Sequence, residues 1–114
     1  MKTLYLIRHA KSSWDYPELT DFERPLNKRG KRDAPIMGQR LKKRSVLPDL
    51  MLSSPANRAL TTCQIIANEI GYPSTGILTR NEIYHAGSQT LLSIVQSLKD
   101  KNQSVMIFGH NPGF

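Results

Sequence analysis

The sequence predicts an α/β protein in three layers, with helices on both faces of a mostly parallel sheet. Short apolar runs of strand length, at 4–7, 50–52 and 105–108, alternate along the chain with amphipathic stretches of helical period. Such alternation specifies a parallel sheet, because a parallel neighbour is reached only by a long crossover, usually a helix. The first and last apolar runs also each lead into a histidine, His9 and His110. Open α/β sheets bind their ligands at that end of their strands.

The first strand is read over 2–7, where Leu4, Tyr5, Leu6 and Ile7 form the unbroken apolar run of a buried strand. Arg8 and His9 follow as the start of a loop. Residues 11–25 are rich in Ser, Asp, Pro and Glu and lack helical period; connections this long are usually functional or mobile. Trp14 and Tyr16 within it read as pins that hold the loop down. A helix over 27–43 follows, capped by Asn27, with Ala34, Met37 and Leu41 as its core positions. Pro35 lies too deep for a first-turn proline and is expected to kink this helix or delay its start.

A second strand is read over 49–53. Ser54-Pro55 then signals a helix over 56–70, the serine as cap and the proline at the first helical position. Ala59, Leu60, Cys63, Ile66, Ala67 and Ile70 share one face of it, and Gly71 ends it. On that face Cys63 reads as core filler rather than as a reactive thiol. A short strand over 77–79, a polar loop over 81–88 and a helix over 90–99 come next, the helix facing Leu91, Ile94, Val95 and Leu98 inward. The last strand is read over 104–108.

A chain of 114 residues makes one domain, burying about two thirds of its unfolded surface. Its apolar content of 39% and charged content of 22% are ordinary for a globular protein. The apolar runs are too short to span a bilayer, and no signal peptide is visible. A single cysteine excludes a disulfide framework and a cysteine-based zinc site. A cytoplasmic setting is expected. The net charge is +7, from 16 basic and 9 acidic residues, with much of the excess in 27–44. That run reads either as a solvated helix face or as a surface that attracts an anionic partner. It lacks the interleaved aromatics of single-strand binders, which disfavours nucleic acid.

Parallel strands bring their carboxyl ends to one edge, so His9 and His110 are expected to meet there. Arg58, in the first turn of the second helix, joins them at the same edge. Its guanidinium adds a fork of donors to the positive end of that helix. Taken singly, each residue has a plain structural reading: a lone histidine is more often structural, and a first-turn arginine more often faces solvent. Together, Arg8, His9, Arg58 and His110 describe a compact cationic pocket shaped for a phosphoryl group.

Four motifs carry a resemblance. Leu6-Ile7-Arg8-His9-Ala10, Arg24-Pro25-Leu26-Asn27 with Gly30, Leu52-Ser53-Ser54-Pro55 with Arg58 and Thr61, and Gly109-His110-Asn111-Pro112 resemble the histidine phosphatase superfamily. Lys11-Ser12-Ser13-Trp14 and the Gly-His-Asn-Pro-Gly ending are most similar to its SixA-type phosphohistidine phosphatases. The resemblance implies that His9 is a nucleophile that becomes phosphorylated, with Arg8, Ser12, Arg58, His110 and Asn111 holding the phosphoryl group. It implies no metal and no cofactor. Histidine attacks as neutral imidazole, and its usual pKa of about 6.5 leaves it mostly neutral at pH 7; Arg8 and Arg58 are expected to lower it further. Glu82 occupies the place of the general acid used on alcohol phosphates, and otherwise reads as an exposed loop carboxylate. His85 lines the pocket or simply belongs to the loop.

Three readings of function stay open. One is a phosphatase acting on phosphohistidine in a partner protein. A second is an enzyme for small phosphate esters that uses Glu82, and a third is a module that binds phosphate without turnover. The resemblance also implies a further helix and strand, so residues 1–114 read as a single domain short of its C-terminal part.

Overall fold

A computed structural model of the chain describes residues 3–16, 18–84, 87–98 and 101–110. Strands β1 (Thr3–Arg8), β2 (Leu50–Ser53), β3 (Leu78–Thr79) and β4 (Ser104–Gly109) form one sheet in the order β1-β4-β2-β3. Every pairing is parallel, with Arg8 opposite Gly109 and Ser53 opposite Phe108. Helices α1 (Lys28–Lys43), α2 (Asn57–Ile70) and α3 (Ser88–Ser97) make the crossovers. Met51, Met106 and Phe108 meet Cys63, Ile66, Ala67 and Ile70 of α2 on one face of the sheet. Leu52, Val105 and Ile107 meet Leu91 and Ile94 of α3 on the other. With α1 packed on α2, the three-layer α/β/α arrangement is complete.

The continuous apolar run of β4 fits its place, since it is covered on both faces and flanked by β1 and β2. The run in β1 has a different cause. Among the described residues β1 is an edge strand; Tyr5 and Ile7 pack inward, whereas Leu4 and Leu6 are 41% and 46% exposed. The expected burial of this strand is therefore corrected to one face, and Arg8 closes the strand instead of opening the loop.

Helix α1 begins where Asn27 predicts, its side chain accepting the Gly30 N–H at 2.8 Å. It runs through Pro35 without interruption, against the expected kink or late start. Its buried residues are Gly30, Ala34 and Gly38, so the buried stripe is made of small side chains; Met37 is 45% exposed. Gly30 is required by proximity, because a β-carbon there would lie 2.1 Å from the Lys11 carbonyl oxygen. Backbone against backbone cannot yield cheaply. Gly30→Ala is expected to cost about 1–3 kcal/mol, read as a lower urea midpoint at unchanged m-value.

Helix α2 starts later than the Ser54-Pro55 signal indicates. Ala56 is its cap residue, without a side-chain cap bond. The Ser54 hydroxyl instead accepts the Ala56 N–H at 3.2 Å and turns to His110. Gly71 ends the helix in the left-handed region, at φ 84°. Cys63 is fully buried, and burial pushes its thiol up to about 12, so it stays protonated. Helix α3 begins at Ser88, earlier than expected, while Lys2 and Lys99 lie outside the described residues.

Candidate active site

Strand register sets the site. The His9 N–H donates to the Gly109 carbonyl at 3.1 Å, extending the β1–β4 pairing by one step. The two histidine rings then stand 5.3 Å apart between centroids. The Ser54 N–H reaches the Phe108 carbonyl at 2.9 Å, which places the start of α2 beside them. Residues 11–13 run antiparallel to 25–27, held by Ser13 N–H to Pro25 O at 2.8 Å and Asn27 N–H to Lys11 O at 2.9 Å. These segments wall a cleft of about 410 Å³ whose lining includes Arg8, His9, Ser12, Arg24, Arg58 and His110.

The His9 ring is fixed in one tautomer. Its Nδ1 lies 2.6 Å from the Ala10 carbonyl oxygen. A carbonyl only accepts, so the proton sits on Nδ1 and the neutral ring keeps its lone pair on Nε2. The pKa of His9 is lowered, chiefly by burial. The Ala10 carbonyl opposes that effect, and Arg58, Arg8 and Arg24 add to it by like-charge repulsion. Sequence reasoning named the arginines; burial is the larger cause. A lowered pKa means the nucleophilic form fills in at more acid pH. Any phosphoryl transfer to His9, corrected for the substrate's own ionisation, should therefore rise from acid pH with its midpoint below the ordinary histidine value. A midpoint above the ordinary histidine value would contradict this.

Arg58 is 6% exposed and donates to Asp21 twice, from Nη1 to its backbone carbonyl and from Nη2 to Oδ2 at 2.9 Å. The Thr62 hydroxyl donates to the Arg58 carbonyl at 2.7 Å and accepts the Ala10 N–H at 3.1 Å, tying α2 to the loop that carries His9. Arg24 is also buried. It donates from Nε to the Ser13 carbonyl at 3.0 Å, from Nη1 to Asp21 Oδ1 at 3.0 Å, and from Nη2 to the Ser12 hydroxyl. Its guanidinium lies 3.2 Å from the centroid of the Trp14 ring, which is itself 78% exposed. Trp14 therefore covers an arginine at the cleft rim, beyond pinning its own loop. His110 contacts the Ser54 hydroxyl through Nε2 at 2.8 Å and meets the edge-on ring of Tyr84 at 5.5 Å.

The structure thus gathers Arg8, His9, Ser12, Arg58 and His110 around one cleft. Asn111 and His85 lie outside the described residues. Glu82 is not among the lining residues; its carboxylate pairs with Arg80 at 3.2 and 3.4 Å, and that pairing holds it below its usual pKa. Asp21, Tyr84 and Thr62 are the participants that sequence reasoning missed, while Arg24 entered it only within the Arg24-Pro25-Leu26-Asn27 motif, without a role. The spacing of Asp21 and Arg24, an acid and a base three apart beside a proline, is the one local signal for any of them. Among the described residues, no group of three or more His, Cys, Asp or Glu is placed to hold a metal ion, and no helix is long and apolar enough to cross a membrane.

Comparison with known proteins bears on the fold and the family. A chloroplastic protein of Arabidopsis thaliana, itself uncharacterised, is 32% identical over 121 residues, which cover 99% of this chain and 56% of that protein. The chain thus spans little more than half the length of that relative. SixA from Agrobacterium tumefaciens, assigned as a phosphohistidine phosphatase, superposes with a TM-score of 0.90 at 38% identity, over 99% of this chain and 72% of that one. A protein histidine phosphatase SixA complexed with tungstate superposes with a TM-score of 0.84 at 26% identity, over 96% of this chain and 69% of that one. Residues 4–83 match the family model of the histidine phosphatase superfamily (branch 1), and the chain belongs to that superfamily.

Proposed function

We propose that the protein is a phosphatase that takes a phosphoryl group from phosphohistidine in a partner protein onto His9 and passes it to water. One observation carries this reading: His9 offers Nε2 within a cleft lined by Arg8, Arg24 and Arg58, and no carboxyl group is among the described lining residues. Nε2 attacks phosphorus as the substrate's P–N bond breaks. The substrate imidazole, protonated on its far nitrogen, leaves as a neutral ring. Water then attacks the same phosphorus, the P–Nε2 bond breaks, and phosphate departs with the water oxygen. Guanidinium donors suit this chemistry, because phosphoryl transfer depends on positioning and on stabilising the charge of the equatorial oxygens.

The leaving group discriminates between substrates. An alkoxide needs a proton from a placed acid, whereas a protonated phosphohistidine carries its own. Glu82, exposed and paired with Arg80, is poorly suited to serve as that acid. A protein partner is supported by the exposed basic residues Lys28, Arg29, Lys31 and Arg32, which open α1 just after the cleft-lining Asn27 and would attract an acidic surface.

The test is mass spectrometry of protein quenched during turnover, with an acid-labile phosphate expected on His9. Glu82→Gln should keep activity on a phosphohistidine protein within about twofold, as a surface change away from the chemistry does. Loss of that activity would favour an enzyme for small esters with Glu82 as acid. Phosphate binding without turnover would favour a binding module.

A further inference from the structure

We propose that Asp21, a residue outside the cleft, is the positioning residue that aims the guanidiniums of Arg24 and Arg58 at the bound phosphoryl group. The inference rests on the phosphatase reading and deepens it. Arg24 and Arg58 have side chains only 9% and 7% exposed, and they lie close enough to share one carboxylate. Two desolvated like charges at that separation repel, and without a counter-ion they would splay or draw water into the site.

Asp21 supplies the counter-ion with a defined geometry. Oδ1 accepts from Arg24 at 3.0 Å, and Oδ2 accepts from Arg58 at 2.9 Å and from the Tyr84 hydroxyl at 2.7 Å. The backbone carbonyl of Asp21 takes a further Arg58 donor, so that guanidinium is gripped at both ends. Neither Asp21 nor Tyr84 lines the cleft, whereas both arginines do. With Ser12 and Ser13 also taking Arg24 donors, three of the five N–H groups of Arg24 and two of those of Arg58 are engaged, and the others stay available to an anion.

The support is rigid on its own side. Asp21 opens the 3₁₀ turn Asp21–Glu23, closed by Thr20 N–H to Glu23 Oε1 at 3.1 Å and Glu23 N–H to Thr20 O at 3.0 Å. The Asn57 side chain donates to the Glu23 carbonyl at 3.0 Å, fastening this turn to the first residue of α2, one position before Arg58. Tyr84 links the same carboxylate to the ring that packs against His110. The Tyr84 hydrogen bond, opposed by burial and then joined by Arg58 and Arg24, holds Asp21 at about 2, so the clamp stays charged at any working pH.

The test is calorimetric titration of the full chain with inorganic phosphate, a measurement that needs no turnover. Asp21→Asn keeps an accepting oxygen but loses the charge, and should weaken phosphate about tenfold, the scale of one charge-assisted hydrogen bond. In an Arg58→Ala background the same change should cost clearly less, about threefold, because only Arg24 is left for Asp21 to aim. A purely structural role would give equal losses in both backgrounds. Tyr84→Phe keeps the ring against His110 and removes only the hydroxyl; it should weaken phosphate about two- to threefold and serves if Asp21→Asn fails to fold. Unchanged binding in Asp21→Asn, or equal losses in both backgrounds, would overturn the proposal. So would tighter binding, which would mean that the carboxylate competes with phosphate for the arginines. Failure of the phosphatase reading has its own signature, an absence of phosphate on His9 in the unaltered protein.

Discussion

Replacing His9 with alanine is expected to lower turnover by at least about 10⁴-fold, on the scale seen when an enzyme's nucleophile is deleted. The acid-labile phosphate should vanish with it. The fold should persist, because the side-chain hydrogen bond of His9 runs to the carbonyl of its own neighbour and closes no tertiary contact. A stability change within about 1 kcal/mol is expected for such a half-buried side chain, measured by urea denaturation beside the activity assay. His110 is not placed to take over, since its Nε2 faces the Ser54 hydroxyl at 2.8 Å while its ring stands tilted at 51° to that of His9. Phosphate binding should survive in the variant, because the arginines remain. Turnover at the original rate would refute His9 as the nucleophile.

Why so much of this site is legible in the sequence follows from the geometry of parallel sheets. Each strand of such a sheet delivers its last residue to the same edge, whatever the order of its neighbours. His9, His110 and Arg58 can therefore be brought together from alternation and strand ends alone, and the structure places them around one cleft. Strand order is not encoded in that way. The apolar run of β1 reads like that of β4, yet β1 has a partner on one side only among the described residues, and Leu4 and Leu6 are left at the surface. Pro35 shows tertiary packing overriding a local rule. The small face of Gly30, Ala34 and Gly38 holds α1 in place although Pro35 contributes no backbone donor.

The loop contributions were hidden for another reason. Asp21, Arg24 and Tyr84 come from segments without periodicity, and Tyr84 reaches Asp21 across a separation of 63 positions. No pattern within either segment announces that pairing. Glu82 illustrates the converse case. It lies in the segment expected to carry an acid, but Arg80 two residues earlier captures its carboxylate, and the neighbouring Tyr84 is the side chain that turns toward His110. Ser54 reads as a helix cap by local preference, yet its hydroxyl also serves His110. In each case a partner distant in sequence, or a charge close by, outcompetes the local preference.

Arg58→Ala should lower kcat/KM by about 10²–10³-fold, the range found when one preorganised donor to a developing oxyanion is removed. Part of that loss is electrostatic aim, since Arg58 is buried, gripped by Asp21, and lines the cleft. Arg58→Lys keeps the charge but replaces the planar fork with a single ammonium, so it should recover only a fraction of the loss. A second effect separates this residue from a mere structural support. After burial, Arg58 is the first of the arginines that lower the pKa of His9. Its removal lets that pKa rise toward the ordinary value, so more of His9 is protonated in mildly acid solution. The deficit of Arg58→Ala should therefore be larger at pH 6 than at pH 8, and the acid limb of its kcat/KM profile should move to higher pH. A deficit that does not vary across that range would mean that Arg58 holds the phosphoryl group without setting the charge state of the nucleophile.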